Sequence, residues 1–321
     1  MARIYSVVDL EELFTPEDLA ELERFFPTAN PAAAFRAALS RRRAPQQSSG
    51  LAMGAGPLHQ PGAEVPRCRP WDASLIPVRD TIPHRHTPVV TWALIAINVL
   101  VFFYELSLGP EDLEGLIYLF GIVPARYTHP EWARQIGFPV DDYWPFLTSM
   151  FLHGGWAHVI GNMWTLWIFG DNVEDRMGPG RFLAFYLLTG VAAGLTHWFT
   201  NAHSTVPTVG ASGAIAGVLG AYFILFPRSQ IVVLLPIFFF PFFFRLPAVT
   251  YLFFWFLSQV LGGALAGLSD SQVGGIAFWA HVGGFAAGVL LHRLFILPER
   301  ERPRRFERDE YGIEGAWASR P

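Results

Sequence analysis

Residues 280–291 read AHVGGFAAGVLL, an apolar, glycine-rich run that carries a single histidine, His281. Residues 210–222 read GASGAIAGVLGAY, a similar run that begins with a single serine, Ser212. Small residues repeated at intervals of three or four positions let two membrane helices approach closely. In these runs they are Gly217 and Gly220, and Gly284 and Gly288. The two runs therefore predict a pair of closely packed helices on which Ser212 and His281 meet.

The composition places these runs in a membrane protein. Of the 321 residues, 52% are hydrophobic and only 16% are charged, whereas an ordinary soluble domain has about 25% charged residues. The formal net charge of −4 averages over unlike parts of the chain and gives no support for binding nucleic acid. The single cysteine, Cys68, excludes an internal disulfide framework and a zinc site of paired cysteines.

Six segments are long and apolar enough, or nearly so, to cross a bilayer, which takes about 20 residues. They are residues 89–108, 149–170, 181–200, 209–226, 247–267 and 274–297. A seventh apolar segment, residues 231–244, is shorter and contains two prolines, so we expect a hydrophobic hairpin or an interfacial helix there. The sequence thus predicts an all-α, polytopic bundle of six membrane helices.

The arginines predict how this bundle is oriented. They precede the first span, lie between the second and third, follow the fourth and follow the last, whereas the 201–208 and 268–273 connections contain none. The long 109–144 connection contains Arg126 and Arg134, together with several acidic residues. Arginine-rich connections face the cytoplasm according to the positive-inside rule. We therefore expect both termini in the cytoplasm.

Three regions are expected along the chain. Residues 1–88 form a cytoplasmic N-terminal appendage, with two short helices within residues 10–43 and a linker over residues 44–88. Residues 89–297 form the membrane core, and residues 298–321 an arginine-rich cytoplasmic tail. The N-terminus is acidic and lacks a continuous apolar run, so no cleavable signal peptide is expected.

Four polar residues stand out within the predicted spans, where each polar group is costly and thus a functional candidate. They are His158, Asn162, Ser212 and His281. The expected topology puts all four in the outer half of the bilayer, on three helices. Each alone has an ordinary explanation in helix packing or an interhelical hydrogen bond, but their common depth favours a single site.

A serine and a histidine at one depth can form a nucleophile and its base, because a neutral imidazole can take the hydroxyl proton. Ser212 begins a predicted helix, where free backbone N–H groups favour negative charge, and His158 and Asn162 would add further donors. Gly210 lets the backbone approach closely. No carboxylate is expected at this depth, so the residues predict a dyad.

Four motifs in the same order resemble those of the rhomboid family of intramembrane serine proteases. They are HGGWAHVIGN at 153–162, NVEDRMG at 172–178, GASG at 210–213 and AHVGG at 280–284. The resemblance covers residues 89–297. It implies a six-helix core in a lipid bilayer that hydrolyses a peptide bond in or near a transmembrane segment of a protein substrate, without a metal or cofactor.

The resemblance also implies roles for individual residues. The catalytic pair would be Ser212 as nucleophile and His281 as general base. The oxyanion and substrate site would comprise the Ser212 N–H with His158, Asn162 and Gly210. Supporting residues would be His153, Gly213, Gly284, Glu174 and Arg176. A tyrosine that packs on the base in some family members is Ala216 here, so the resemblance supplies no partner for His281.

Three alternatives to proteolysis remain open. A catalytically silent relative that binds transmembrane helices would be expected to lack the serine or the histidine. A transporter would spread its polar groups over both leaflets, and a haem-carrying bundle would need paired histidines on facing helices. A protease in a bacterial-type plasma membrane is the interpretation that the residues favour, and they give no prediction of its oligomeric state.

Overall fold

The computed structural model describes residues 76–83, 86–139, 141–237, 240–268 and 277–297. The helices expected within residues 10–43 and the tail at 298–321 lie outside the described residues. Within the described ranges most residues are helical.

The described residues contain ten helices, of which six are long. They are α1 (Val89–Ser107), α2 (Pro110–Phe120), α3 (Pro124–Thr128), α4 (Pro130–Gln135), α5 (Pro145–Thr148), α6 (Trp156–Met177), α7 (Pro179–Thr200), α8 (Ser212–Leu225), α9 (Ala248–Leu268) and α10 (Phe278–Phe295). The long helices coincide with the six predicted spans, but α6 begins seven residues late because Ser149–Phe151 forms a 3-10 turn. By length and composition, α1, α7 and α9 qualify as membrane spans, and α8 is a shorter apolar helix.

The first two long helices, α1 and α6, run in opposite directions, as their contacts show. The hydroxyl of Thr91, near the start of α1, donates to the carboxylate of Glu174, near the end of α6, at 2.7 Å. The carboxylate of Glu105, near the end of α1, accepts from the backbone N–H of His153, just before α6, at 3.1 Å. Helices that alternate in direction are what a chain crossing a layer repeatedly requires.

The close approach of the two glycine-rich helices is confirmed. A Cβ atom on Gly284 would overlap the carbonyl oxygen of Gly213, and one on Gly288 would overlap that of Gly217. Gly220 lies just as close to the backbone of α10. Backbone therefore contacts backbone along this interface, and α8 and α10 run parallel with their first residues at the same end of the bundle.

A three-stranded antiparallel sheet lies at the other end. Its strands are β1 (Ile76–Asp80), β2 (Gln230–Ile237) and β3 (Phe240–Pro247), in the order β1-β2-β3. The hairpin expected for residues 231–244 is confirmed, and the interfacial-helix alternative is wrong. The linker expected over residues 44–88 is wrong at β1, which pairs with β2.

Asp80 joins this sheet to the helices. Its carboxylate accepts hydrogen bonds from the Tyr222 hydroxyl at 2.6 Å and from the Asn172 amide at 2.7 Å. The Tyr222 oxygen also lies 3.0 Å from the Ser229 hydroxyl. Burial, and to a smaller extent the nearby Asp171, raises the pKa of the Asp80 carboxyl to about 7.

The connection between α1 and α6 supports the loop that leads into α8. Arg126 is fully buried and donates to the Pro139 carbonyl oxygen at 2.6 and 2.9 Å and to the Asp142 carboxylate at 2.9 Å. Ile122 and Thr208 exchange two backbone hydrogen bonds of 2.8 and 3.0 Å. The folded connection thereby fixes the chain just before residue 210.

Candidate active site

Ser212 and His281 face each other across the α8–α10 interface. Ser212 is the first residue of α8, and His281 is the fourth residue of α10. The Ser212 Oγ lies 2.8 Å from the His281 Nε2, close enough for the hydroxyl to donate to the imidazole. Both residues keep partial exposure. The structure thus brings together, in an accessible place, two residues that the sequence analysis had predicted to meet.

The other side of the His281 ring contacts α9. Its Nδ1 lies 2.8 Å from Gln259 Oε1, and the Trp255 ring lies against it with centroids 6.1 Å apart. The sequence analysis missed both residues. Gln259 is a polar residue inside a predicted span, so the criterion that selected Ser212 and His281 could have found it.

Gly210 brings α6 next to the start of α8. Its φ of +129° favours glycine, and its N–H donates to the Ser149 carbonyl oxygen at 2.8 Å. A Cβ atom on Gly210 would lie 2.6 Å from the Nε2 of His158 and 3.6 Å from the Nδ2 of Asn162. Both predicted donor residues therefore contact the backbone two positions before Ser212.

His158 and Asn162 each keep hydrogen-bonding capacity at this place. The Nδ1 of His158 accepts from the Gly154 N–H at 3.4 Å, so the ring proton belongs on Nε2, the atom that faces Gly210. The Nδ2 of Asn162 lies 3.0 Å from His153 Nε2, which takes one of its two hydrogens. The first turn of α8 adds backbone N–H groups that a helix leaves without internal acceptors.

Glu105 corrects the expectation that no carboxylate lies at this depth. Its side chain is buried, 2% exposed, and accepts from the His153 N–H at 3.1 and 3.3 Å. Glu105 was not predicted from the sequence, although it lies within the first predicted span. Glu105 therefore binds the backbone of His153 and is not a described partner of the catalytic pair. The described hydrogen-bond partners of the His281 ring are Ser212 and Gln259.

Two of the predicted supporting residues, Glu174 and Arg176, have structural roles away from the pair. Glu174 accepts from the backbone N–H groups of Val90 and Thr91 at 2.9 and 2.8 Å, so it caps the start of α1. The Arg176 carbonyl oxygen accepts from the Leu297 N–H at 3.0 Å. These contacts hold helix ends together far from Ser212.

The described residues include no group of three or more histidine, cysteine, aspartate or glutamate side chains able to hold a metal ion. His129 and His203 form a pair at the same end as Ser212, with Nε2 and Nδ1 2.8 Å apart. That separation is a direct hydrogen bond and leaves no room for a metal ion between the rings.

Comparison with known proteins gives consistent matches. Residues 140–298 match the family described as Rhomboid domain. Rhomboid protease GluP of Bacillus subtilis (strain 168) is 35% identical over 135 residues, 42% of this chain and 24% of that protein. Putative rhomboid protease YdcA of the same organism is 28% identical over 125 residues, 37% of this chain and 62% of that protein.

A third match, with Presenilin-associated rhomboid-like protein A, mitochondrial, of Danio rerio, has 33% identity over 205 residues, 59% of this chain and 49% of that protein. The chain therefore spans between about a quarter and just under two thirds of the length of these curated relatives. The matched family region contains both Ser212 and His281.

Proposed function

The chain belongs to the rhomboid family, and on that premise we propose that it is an intramembrane serine endopeptidase that cuts transmembrane segments of other membrane proteins. The observation that carries the proposal is the 2.8 Å hydrogen bond between Ser212 Oγ and His281 Nε2. It joins two helices that pack backbone against backbone. A nucleophile held within hydrogen-bond reach of its base is the arrangement that covalent catalysis needs.

The reaction follows from this pair. The Ser212 Oγ attacks the carbonyl carbon of the scissile peptide bond while its proton passes to His281 Nε2. The tetrahedral intermediate collapses, the C–N bond breaks, and His281 returns the proton to the leaving amine. A water molecule then attacks the acyl-serine and gives a proton to His281. The C–O bond to Ser212 breaks, His281 returns the proton to the serine oxygen, and the second product leaves as a carboxylic acid.

The negative oxygen of the intermediate needs donors fixed before the reaction. The Ser212 backbone N–H, the Nε2–H of His158 and the remaining N–H of Asn162 would supply them. The closeness of His158 and Asn162 to Gly210 supports this assignment, since it puts both side chains beside the chain two residues before the nucleophile.

The membrane setting supports a substrate that is itself a transmembrane segment. Three helices have the length and composition of spans. We propose that α6, α8 and α10 cross as well, in a six-helix core whose polar content reflects the site they carry. In this arrangement the Ser212 end opens outward and the sheet end faces the cytoplasm of a bacterial-type plasma membrane.

The geometry supports proteolysis over the alternatives. A silent helix-binding relative has no need of a serine and histidine in direct contact. The transporter alternative has less support. His158, Asn162, Ser212 and His281 lie together at one end, and the Asp80 carboxylate at the other end accepts its hydrogen bonds from Tyr222 and Asn172 within the protein.

The test uses the purified protein in detergent or proteoliposomes. Wild-type protein should react covalently with a serine-directed fluorophosphonate and should cleave a reporter protein that has one transmembrane helix. Ser212→Ala and His281→Ala should each lose both activities, by about 10⁶-fold for such a pair. Ser204→Ala and His203→Gln, at the same end of the bundle, are the matched controls.

The outcomes separate the protease from a silent relative and from an enzyme that uses another group. Labelling and cleavage that both require Ser212 support the protease. Reporter binding without cleavage by the wild type would contradict it in favour of a silent relative. Cleavage that persists in purified Ser212→Ala would assign the activity to another group.

A further inference from the structure

We infer that Gln259 is a positioning residue for the reaction, one that holds the His281 ring in the tautomer able to accept the serine proton. The inference rests on the proposed function and adds a third residue, from α9, to the Ser212–His281 pair. The hydrogen bond between Gln259 Oε1 and His281 Nδ1, 2.8 Å long, is the observation behind it.

The orientation of the Gln259 amide is set by its own neighbours. Its Nε2 lies 3.0 Å from the Ser258 Oγ and 3.4 Å from the Trp255 carbonyl oxygen. The Ser258 hydroxyl in turn donates to that same carbonyl at 2.6 Å, so the Ser258 oxygen is free to accept from Nε2. The amide N–H₂ group is therefore held away from the imidazole, and the carbonyl oxygen faces it.

An amide oxygen only accepts hydrogen bonds, so the Nδ1 of His281 must carry the proton. The Nε2 is then unprotonated and can accept from Ser212 at 2.8 Å. In the opposite tautomer an N–H would point at the serine oxygen, and His281 could not act as the base. The amide thereby does the orienting that a carboxylate does in a Ser-His-Asp triad.

A neutral partner suits this position. A carboxylate beside His281 would place a charge on a helix that has the composition of a membrane span, where charged groups are costly. An amide supplies the same acceptor without that cost. It also gives less electrostatic stabilisation to the imidazolium that forms during the reaction.

Trp255, on α9 like Gln259, limits the rotation of the His281 ring. It lies one turn before Gln259, tilted by 33° to the imidazole with centroids 6.1 Å apart. The hydrogen bond with Gln259 determines which ring nitrogen of His281 faces α8, and the Trp255 ring restricts the plane of the imidazole. Both functions come from α9, which carries neither member of the catalytic pair.

The experiment replaces Gln259 with two residues of similar size. Gln259→Leu removes the acceptor and should lower kcat about ten- to a hundredfold with KM unchanged, less than the roughly 10⁴-fold loss when a triad aspartate is replaced by asparagine. Gln259→Glu keeps an acceptor oxygen and should recover most of that loss. Gln230→Leu, on β2, is the matched control and should behave as wild type.

Fluorophosphonate labelling rates and melting temperatures accompany these assays. Slow labelling of Gln259→Leu at an unchanged melting temperature, together with recovery in Gln259→Glu, supports the inference. Wild-type kcat in Gln259→Leu overturns it, as does a well-folded Gln259→Glu that is no better than Gln259→Leu. If the wild type itself shows no Ser212-dependent cleavage or labelling, the proposed function fails instead.

Discussion

The two ends of the bundle both hold polar groups among apolar helices, but they use them differently. At the sheet end, the Asp80 carboxylate receives hydrogen bonds from Tyr222 and Asn172, and Tyr222 also contacts Ser229. At the other end, Ser212 contacts His281, while the Nε2 of His158 faces Gly210. In the first cluster the polar groups hydrogen-bond to each other. In the second, hydrogen-bond donors remain that could bind a substrate.

This difference is a better guide to function than burial alone. Every buried polar group is costly, so both clusters must be compensated. A structural cluster is compensated fully in the folded protein. A catalytic cluster leaves some hydrogen-bond donors to be paired by the substrate. The position of these donors indicates where negative charge can develop during the reaction.

The largest effect on the Ser212 end is expected from a substitution in the glycine interface between α8 and α10. Gly284→Ala puts a methyl group onto the Gly213 carbonyl oxygen, backbone that cannot move aside. The helices must separate, and a misplacement of about 1 Å between reacting groups costs about a hundredfold in rate. We expect at least that loss of reporter cleavage and a lower melting temperature.

The matched control is Gly161→Ala on α6, where the added methyl group meets nothing within 4 Å. It should retain wild-type cleavage. A fully active Gly284→Ala protein would show that the distance between Ser212 and His281 does not depend on this contact.

The proposed oxyanion donors offer a second test at the same end. Asn162→Ala removes one of these donors and should slow turnover roughly ten- to a thousandfold, with KM little changed. Steady-state kinetics on the reporter measures both constants. A structural role alone predicts instead a loss of folded protein, because Asn162 also contacts His153, and the surviving fraction would then have normal kcat.

Substitution of Asp80, at the opposite end of the bundle, should have the smallest effect on cleavage, and its effect on stability should depend on pH. Because the pKa of Asp80 is raised from 3.8 to about 7 in the folded protein, the folded state holds a proton that the unfolded chain releases above about pH 4. Stability should therefore fall as pH rises from about 4 to 7 and stay level above that. The upper limit is about 4 kcal/mol.

Melting temperatures between pH 5 and pH 8 test this dependence. Asp80→Asn should flatten the curve and melt higher than wild type at pH 8, while reporter cleavage stays within twofold. Asp141→Asn, which removes an exposed carboxylate, should leave the curve unchanged. A lower melting temperature of Asp80→Asn at pH 8 would mean that the folded state favours the charged form.

The positions of the long helices could be predicted from the sequence because they depend on local composition. The close approach of α8 and α10, with Ser212 within 2.8 Å of His281, agrees with the glycine spacing, whereas the depth of these residues in a membrane stays a prediction. The start of α6 lies seven residues later than expected, because residues 149–155 form a 3-10 turn and a loop that ends at Gly155, with φ +151°. Apolarity alone does not say where a helix begins.

Other features depend on contacts between distant parts of the chain, which a single sequence does not reveal. The strand β1 exists because β2, some 150 residues later, pairs with it. Gln259 was visible as a polar residue in a span, but depth does not show which way a side chain faces. Only the fold turns its amide toward His281.

The position of β1 has a practical consequence for shortened forms of the chain. The region that matches the rhomboid family begins at residue 140, and a protein trimmed even to the start of α1 would lose β1. The central strand β2 would then become a bare edge, with unpaired N–H and C=O groups next to the phenylalanine-rich β3. Bare apolar edges recruit strands from neighbouring molecules, so trimming for crystallisation or expression should keep residues 76–80.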